Sequence, residues 1–378
     1  MRSTEAEVLK MMDRIYKSPF KPRQYEFRKR LYYSQLCMAY GFLMEHKFNR
    51  VIFSNIPHNS FDFILFGLCK AMGIETSFLY QLQVKDCFLH AYTLEELYGQ
   101  LALPEQYDED REWELPDFLE EEIQERLGTK APFYMNANRF PLKAKLKALR
   151  KKAFRVQTYT YPFYTFSSWF AYKRIPKYKP TADSKFVYFA LHMQPEATTS
   201  PMGGVFVDQY YVILMIARAL PEGVKVVVKE HPHQEMWQRT PDFYNILKAE
   251  PNVEFVSLKQ NSFELIKQSI AVATITGTVG WEALFLKKPV ILFGHIFYKH
   301  LPGVINVNDT ESLADAMAQI QSGDYKLCEL SDIRKLLHYT NEKAYHGAVD
   351  NDYFEISHLS AEENKNSVKQ ALTDFIIH

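Results

Sequence analysis

The stretch that decides the fold runs from residue 225 to 232: Lys225-Val226-Val227-Val228-Lys229-Glu230-His231-Pro232. A short apolar run without polar alternation is what a strand buried on both faces of a parallel sheet requires, and here it stops abruptly in a polar Glu-His-Pro. Working outward, the pattern recurs. Apolar, β-branched runs at 186–191, 253–256, 271–276, 289–293 and 304–307 predict further strands, and helical spacing separates them over 208–219, 241–249, 262–268, 279–286 and 310–321. Strands and helices in strict alternation are βαβ units, so this half reads as a doubly wound α/β domain.

Towards the amino terminus the same signal is weaker. Residues 50–54 predict a strand, 61–72 a helix and 75–80 a second strand, with Pro57-His58-Asn59-Ser60 as the loop and helix cap between the first two. Residues 14–44 read as largely helical with a break around 19–22, and a last helix is expected over 362–377. The length of 378 residues suits two domains of the usual roughly 150-residue size. The division expected is 1–180 for an acceptor-side domain with insertions, 181–345 for a ligand-binding domain, and 346–378 for a helical segment crossing back to the first.

Composition narrows the function. Lys plus Arg and Asp plus Glu are both 45, which argues against a general nucleic-acid-binding surface. Cys37, Cys69, Cys87 and Cys328 show no metal-ligand spacing and read as reduced core thiols. The first residues open a charged helical pattern rather than a secretory signal, and apolar runs such as 271–275 fall far short of the roughly 20 residues that span a bilayer. The expectation is a cytoplasmic protein whose membrane contact, if it has any, is peripheral. Two stretches between the halves read as insertions: 105–125 is acidic, and 143–179 is rich in Lys and Arg without Asp or Glu. The basic stretch joins an amphipathic segment at 142–154 to an aromatic run at 159–166 and Trp169-Phe170. It suits either an anionic membrane interface or an interdomain strap packed on the core.

Ligands of a doubly wound sheet bind beyond the carboxyl ends of its strands, so three loops carry the chemistry. His231, aimed by Pro232 and following Lys229, can donate a hydrogen bond to a phosphate oxygen. Thr276-Gly277-Thr278 opens a helix whose first N–H groups can cradle a phosphate, with Glu282 one turn further on able to accept from ribose hydroxyls. The long loop after 186–191 holds His192, Gln194 and Glu196, where a carboxylate could meet an anomeric carbon as base or nucleophile. On the first domain His58 and Asn59, near a strand end, are candidate acceptor contacts. Each feature also has an ordinary structural role: a satisfied core histidine, a helix cap, a capped turn.

Taken together, Val228-Lys229-Glu230-His231-Pro232, Thr276-Gly277-Thr278-Val279-Gly280-Trp281-Glu282-Ala283-Leu284 and Pro289-Val290-Ile291-Leu292-Phe293-Gly294 with Phe297-Tyr298 resemble the bacterial capsule-polysaccharide biosynthesis glycosyltransferases, a family that includes the retaining β-Kdo transferases. The resemblance covers roughly 186–307. It implies a GT-B architecture, two Rossmann-like doubly wound domains facing a cleft. It implies a metal-independent enzyme without cofactor, which takes a nucleotide-sugar donor such as CMP-Kdo and a glycan or lipid-linked acceptor, peripherally at the inner membrane and without nucleic acid. His231 and the 276–278 turn would contact the nucleotide phosphate, assisted by Lys229 and Pro232, and Glu282 the ribose. Glu196 stands where the Kdo transferases usually carry an Asp nucleophile, so Glu196 and His231 are the catalytic candidates, with His192 and Gln194 near the sugar. Two other functions share these loops: a glycerol- or ribitol-phosphate polymer transferase, and a non-catalytic partner of capsule assembly or export.

Overall fold

The computed structural model describes residues 1–15, 25–100, 113–128, 166–194, 199–234 and 239–377. The valine run forms β5 of a six-stranded, wholly parallel sheet. In chain order the elements of the first half are α1 (Arg2–Ile15), α2 (Tyr25–His46), β1 (Arg50–Phe53), α3 (Ser60–Met72), β2 (Glu75–Gln81), β3 (Cys87–Ala91), α4 (Leu94–Gln100) and α5 (Asp117–Leu127). The second half contributes β4 (Phe186–Ala190), α6 (Gln209–Ala219), β5 (Lys225–Lys229), α7 (Pro241–Ala249), β6 (Val253–Phe255), α8 (Ser262–Gln268), β7 (Ala271–Thr274), α9 (Thr278–Phe285), β8 (Val290–Leu292), β9 (Val304–Asn306) and α10 (Thr310–Ser322). It closes with α11 (Leu330–Lys343), β10 (Tyr345–His346), α12 (Asn351–Phe354) and α13 (Ala361–Ile377).

The second sheet runs β6-β5-β4-β7-β8-β9, every pair parallel. That order, outward from β4 on one side and from β7 on the other, is doubly wound, and its reversal between β4 and β7 leaves a crevice at their carboxyl ends. Its strands are buried on both faces, as their unalternating sequences require. Val226 and Val228 pack under α6 and α7 in one apolar cluster, and Val227 joins Tyr188, Val272 and Trp281 in another. Period-two alternation therefore sends Lys229 to the α8–α9 side and Glu230 to the opposite one.

The first sheet is smaller and mixed, ordered β1-β2-β3-β10. β1 and β2 are the parallel βαβ pair, with α3 ending on Gly73 at φ 70°. β2 then turns back into antiparallel β3 through Asp86, a residue at φ 52°. β10 pairs antiparallel with β3, so the chain returns from the second unit to finish the first. α13 packs there through Ala371 against Leu79 and Phe88, and Arg50 donates to the Phe375 carbonyl at 3.1 Å. The layout is two α/β sheets, the second wholly parallel and doubly wound, the first mixed.

The two sheets share one apolar core: Phe53, Ile56 and Phe78 of the first unit lie in the same cluster as Tyr188, Trp281 and Leu292 of the second. Polar contacts reinforce the seam. Arg334 on α11 grips Glu120 on α5 through two bonds of 2.6 and 2.7 Å, a bidentate pair. The expected break at 19–22, the amphipathic 142–154 and most of the aromatic run fall outside the described residues. Among the described residues no helix is long and apolar enough to cross a membrane.

Candidate functional site

At the crevice the loops after β4, β5 and β7 are tied into one network. His192, the second residue beyond β4, is buried, and its Nε2 lies 3.2 Å from Thr274 Oγ1 and 3.4 Å from the Thr276 amide nitrogen. An amide must donate, so Nε2 accepts; Thr274 then donates its hydroxyl to the ring while its oxygen accepts from the Gly277 N–H at 2.9 Å. Burial drives the His192 pKa down to about 3, with the charges of His231 and Arg239 adding to the effect, so the ring is neutral. The structure thus makes His192 an internal strut of the 274–277 turn, not a group presented to a sugar.

Gln194 has a comparable fate. Its backbone N–H donates to Gln234 Oε1 at 2.9 Å, its carbonyl accepts from Gln234 Nε2 at 3.2 Å, and its own amide donates to the Val207 carbonyl at 3.2 Å. This reciprocal clamp locks the β4 loop to the β5 loop. Gln209 does the same for His192, accepting its N–H at 2.7 Å and donating to its carbonyl at 3.2 Å. Glu196 lies outside the described residues.

The β5 loop rests on a carboxylate that sequence reasoning passed over. Glu230 is buried, and it accepts from Arg239 Nη2 at 3.0 Å, the Tyr244 hydroxyl at 2.7 Å and the His231 N–H at 2.7 Å. Arg239 Nε sits 2.8 Å from the other oxygen, and Arg239 Nη2 also donates to the His192 carbonyl at 2.7 Å. One buried ion pair therefore spans the β5 and β4 loops. The signal was present in the alternation of β5, which places Glu230 on the face of Val226 and Val228.

His231 itself is half-buried, while Pro232 beside it is exposed. Its Nδ1 accepts from the His233 N–H at 3.2 Å, which puts the ring proton on Nε2. Burial lowers its pKa to about 4, helped by the charges of His233, Arg239 and Lys229. At neutral pH His231 is an uncharged Nε2–H donor, the opposite tautomer to His192.

The turn after β7 is built for close approach. Gly277 caps α9 at φ −86° and ψ 151°, and no side chain caps the helix. A Cβ on Gly277 would lie 2.6 Å from Thr274 Oγ1, and one on Gly294 would lie 2.6 Å from Thr276 Cγ2. Tyr298 donates to the Gly277 carbonyl from beneath. Thr276 is fully buried against Gly294, whereas Gly277 and Thr278 are only partly covered.

Lys229 and Glu282 sit deeper than expected. The Lys229 ammonium donates to the Gln260 carbonyl at 2.8 Å and to Ser262 Oγ at 2.7 Å, and burial lowers its pKa. Glu282 is buried against α5, with Arg126 Nη1 at 3.6 Å. Burial pushes its carboxyl up to about 7 against the pull of Arg126 and Lys229, and nearby Glu122 adds to the rise. On the first unit His58 Nδ1 donates to the Ile56 carbonyl at 2.7 Å, and exposed Asn59 occupies the N-cap of α3 without capping it, donating instead to Asp62 at 3.0 Å. No group of three His, Cys, Asp or Glu side chains suited to a metal ion occurs among the described residues. Asp-x-Asp strings do occur, at 108–110 outside the described residues and at 350–352 leading into α12.

These loops fall within a recognisable sequence signature. Residues 199–340 match the family of capsule polysaccharide biosynthesis proteins. The match takes in the β5 loop, the β7 turn and Tyr298, and it bears out the resemblance read from the motifs. Solved structures similar to this chain include the β-Kdo 2,7 transferase of Thermosulfurimonas dismutans KpsC, at 14% identity over 88% of each chain with a TM-score of 0.40. The β-Kdo 2,4 transferase of the same protein matches at 13% identity over 76% of this chain and 78% of that one, TM-score 0.37. UDP-GlcNAc 2-epimerase from Methanocaldococcus jannaschii matches at 10% identity over 84% and 83%, TM-score 0.32. No curated protein matches by sequence.

Proposed function

We propose that the chain is a glycosyltransferase of capsule-type polysaccharide synthesis, binding a nucleotide-sugar at the β4/β7 crevice. The observation that carries the reading is the meeting of two anion-facing features at one strand-order reversal. His231 offers a neutral Nε2–H from the β5 loop, and Gly277 opens α9 without a side-chain cap. A helix amino terminus and a neutral imidazole donor both favour a phosphate, and neither needs to give up a proton to hold one. Lys229 and Glu282 support these loops from below, so the ribose contact first assigned to Glu282 requires α5 to move aside.

The donor proposed is CMP-Kdo and the chemistry a transfer at the anomeric carbon, with Glu196 as nucleophile or base and no metal or other cofactor. The acceptor is a glycan or lipid-linked chain at the cytoplasmic face of the inner membrane. Support for the membrane contact comes from the helical segment 166–173, where Phe166, Trp169 and Phe170 are exposed; Lys173 lies over the Trp169 ring at 5.1 Å and Arg174, just beyond the helix, over the Phe170 ring at 4.0 Å.

Calorimetry with CMP, UDP and CDP, followed by turnover with CMP-Kdo, UDP-sugars and CDP-glycerol, tests the proposal. CMP should bind, His231→Ala should weaken it about tenfold or more, as loss of a hydrogen bond to a charged group does, and Glu196→Gln should bind normally without turnover. Binding of no nucleotide would remove the enzyme reading. Turnover of CDP-glycerol alone would replace sugar transfer by phosphoryl-linked transfer.

A further inference from the structure

α2 is an unusual surface helix, because it is apolar on the side that faces outward as well as on the side that packs. Its inner face is accounted for: Tyr32, Ala39 and Leu43 are buried with Val8, Met12, Ile64 and Leu68 of α1 and α3. On the outer arc Tyr33, Met38, Tyr40, Phe42 and Met44 are 45–60% exposed. From residue 31 to 44 the helix carries no charged side chain.

The outer arc has relief as well as area. At about 100° per residue, Ser34, Cys37 and Gly41 form a narrow central furrow. Tyr33, Tyr40 and Met44 line one bank and Met38 and Phe42 the other. All three furrow residues are exposed, and a Cβ on Gly41 would meet nothing within 4 Å. Small residues between apolar ridges allow two helices to approach closely and interdigitate.

We propose that this face joins two copies of the chain, α2 against α2 in antiparallel fashion, about a two-fold axis passing between Cys37 and Met38. In an isologous contact residue i faces j and j faces i. This axis sets Ser34 opposite Gly41 at the crossing, Tyr33 between Tyr40 and Met44 of the second copy, and exposed Arg30 opposite exposed Glu45, each contact occurring twice. Five half-exposed large side chains at about 100 Å² each supply roughly 500 Å² per chain, and the flanking arc residues bring this towards the roughly 800 Å² per partner of a standard interface. A lipid surface would use the ridges but would need neither the furrow nor Glu45.

Light scattering of the full chain over a wide concentration range should give twice the 44.4 kDa chain mass. Gly41→Glu, placed in open space, should return the mass to that of one chain with no loss of melting temperature. Arg30→Glu should weaken association, and Arg30→Glu with Glu45→Arg should restore it. A short bismaleimide should link the pair through Cys37, since the other three cysteines are buried, and Cys37→Ser should abolish the product. A single-chain mass at every concentration overturns the proposal. So does a dimer indifferent to both Gly41→Glu and the charge reversal, or a monomer that sediments with anionic vesicles and loses that binding in Gly41→Glu.

Discussion

Replacing Arg239 by methionine isolates the ion pair that supports both loops. The Glu230 and Arg239 side chains are 0% and 1% exposed, so removing the guanidinium leaves a carboxylate in the core without its counter-ion. Breaking a buried pair in this way costs about 3–5 kcal/mol. The Tyr244 hydroxyl and the His231 N–H, both at 2.7 Å, still hold the carboxylate, which points to the lower end, about 3 kcal/mol. For a unit of this size each kcal/mol moves the melting temperature by about 2–4 °C, so a fall of roughly 6–12 °C is expected by scanning calorimetry. Glu230→Gln combined with Arg239→Met removes both charges and should recover at least about 2 kcal/mol relative to the sum of the single losses. Single losses below about 1 kcal/mol, or strict additivity, would refute the view that this pair holds the site together.

Three further outcomes follow from the same geometry. His192 has its pKa lowered to about 3 from 6.5, so the unfolded chain takes up the proton first and stability falls as pH drops from about 6.5 towards 3, by up to about 1.4 kcal/mol per unit; His192→Asn should flatten that slope in urea titrations. Glu282 has its pKa raised to about 7 from 4.5, so its contribution is fully present below about 4.5 and is lost as pH rises from there through 7; Glu282→Gln should abolish this decline between about pH 4.5 and 7, and a variant with an unchanged pH profile would sink the assignment. Gly277→Ala puts a methyl 2.6 Å from Thr274 Oγ1, which should cost about 1–3 kcal/mol by overpacking and reduce CMP affinity in calorimetry.

The second unit was legible because each of its strands is a short apolar run closed by turn chemistry. The valines of β5 and the helix over 241–249 were placed to the residue. β3 was missed since Cys87-Phe88-Leu89-His90-Ala91 contains no β-branched residue, and β10 is two residues whose only warrant is the partner it finds across the fold. In the site the same limit applied. Lys229, His231 and the 276–278 turn could be picked by position at strand ends, but local sequence does not say which polar residue faces inward. His192 and Gln194 turned out to spend their hydrogen bonds on backbone and neighbouring loops, and Arg239 became visible only once the fold brought it beneath Glu230.

The pairing of β10 with β3 bears on the order in which the protein takes shape during synthesis. All six strands of the second sheet lie between residues 186 and 306, so that sheet has every member before residues 345–346 emerge to cover the edge of β3. Domains normally mature from the amino terminus as the chain grows. Here the later unit is complete first, while the earlier one waits with an open edge able to recruit strands from other chains. Emergence of residues 345–346 closes that edge, and a chain cut short before them should be prone to aggregate although its second sheet has every strand.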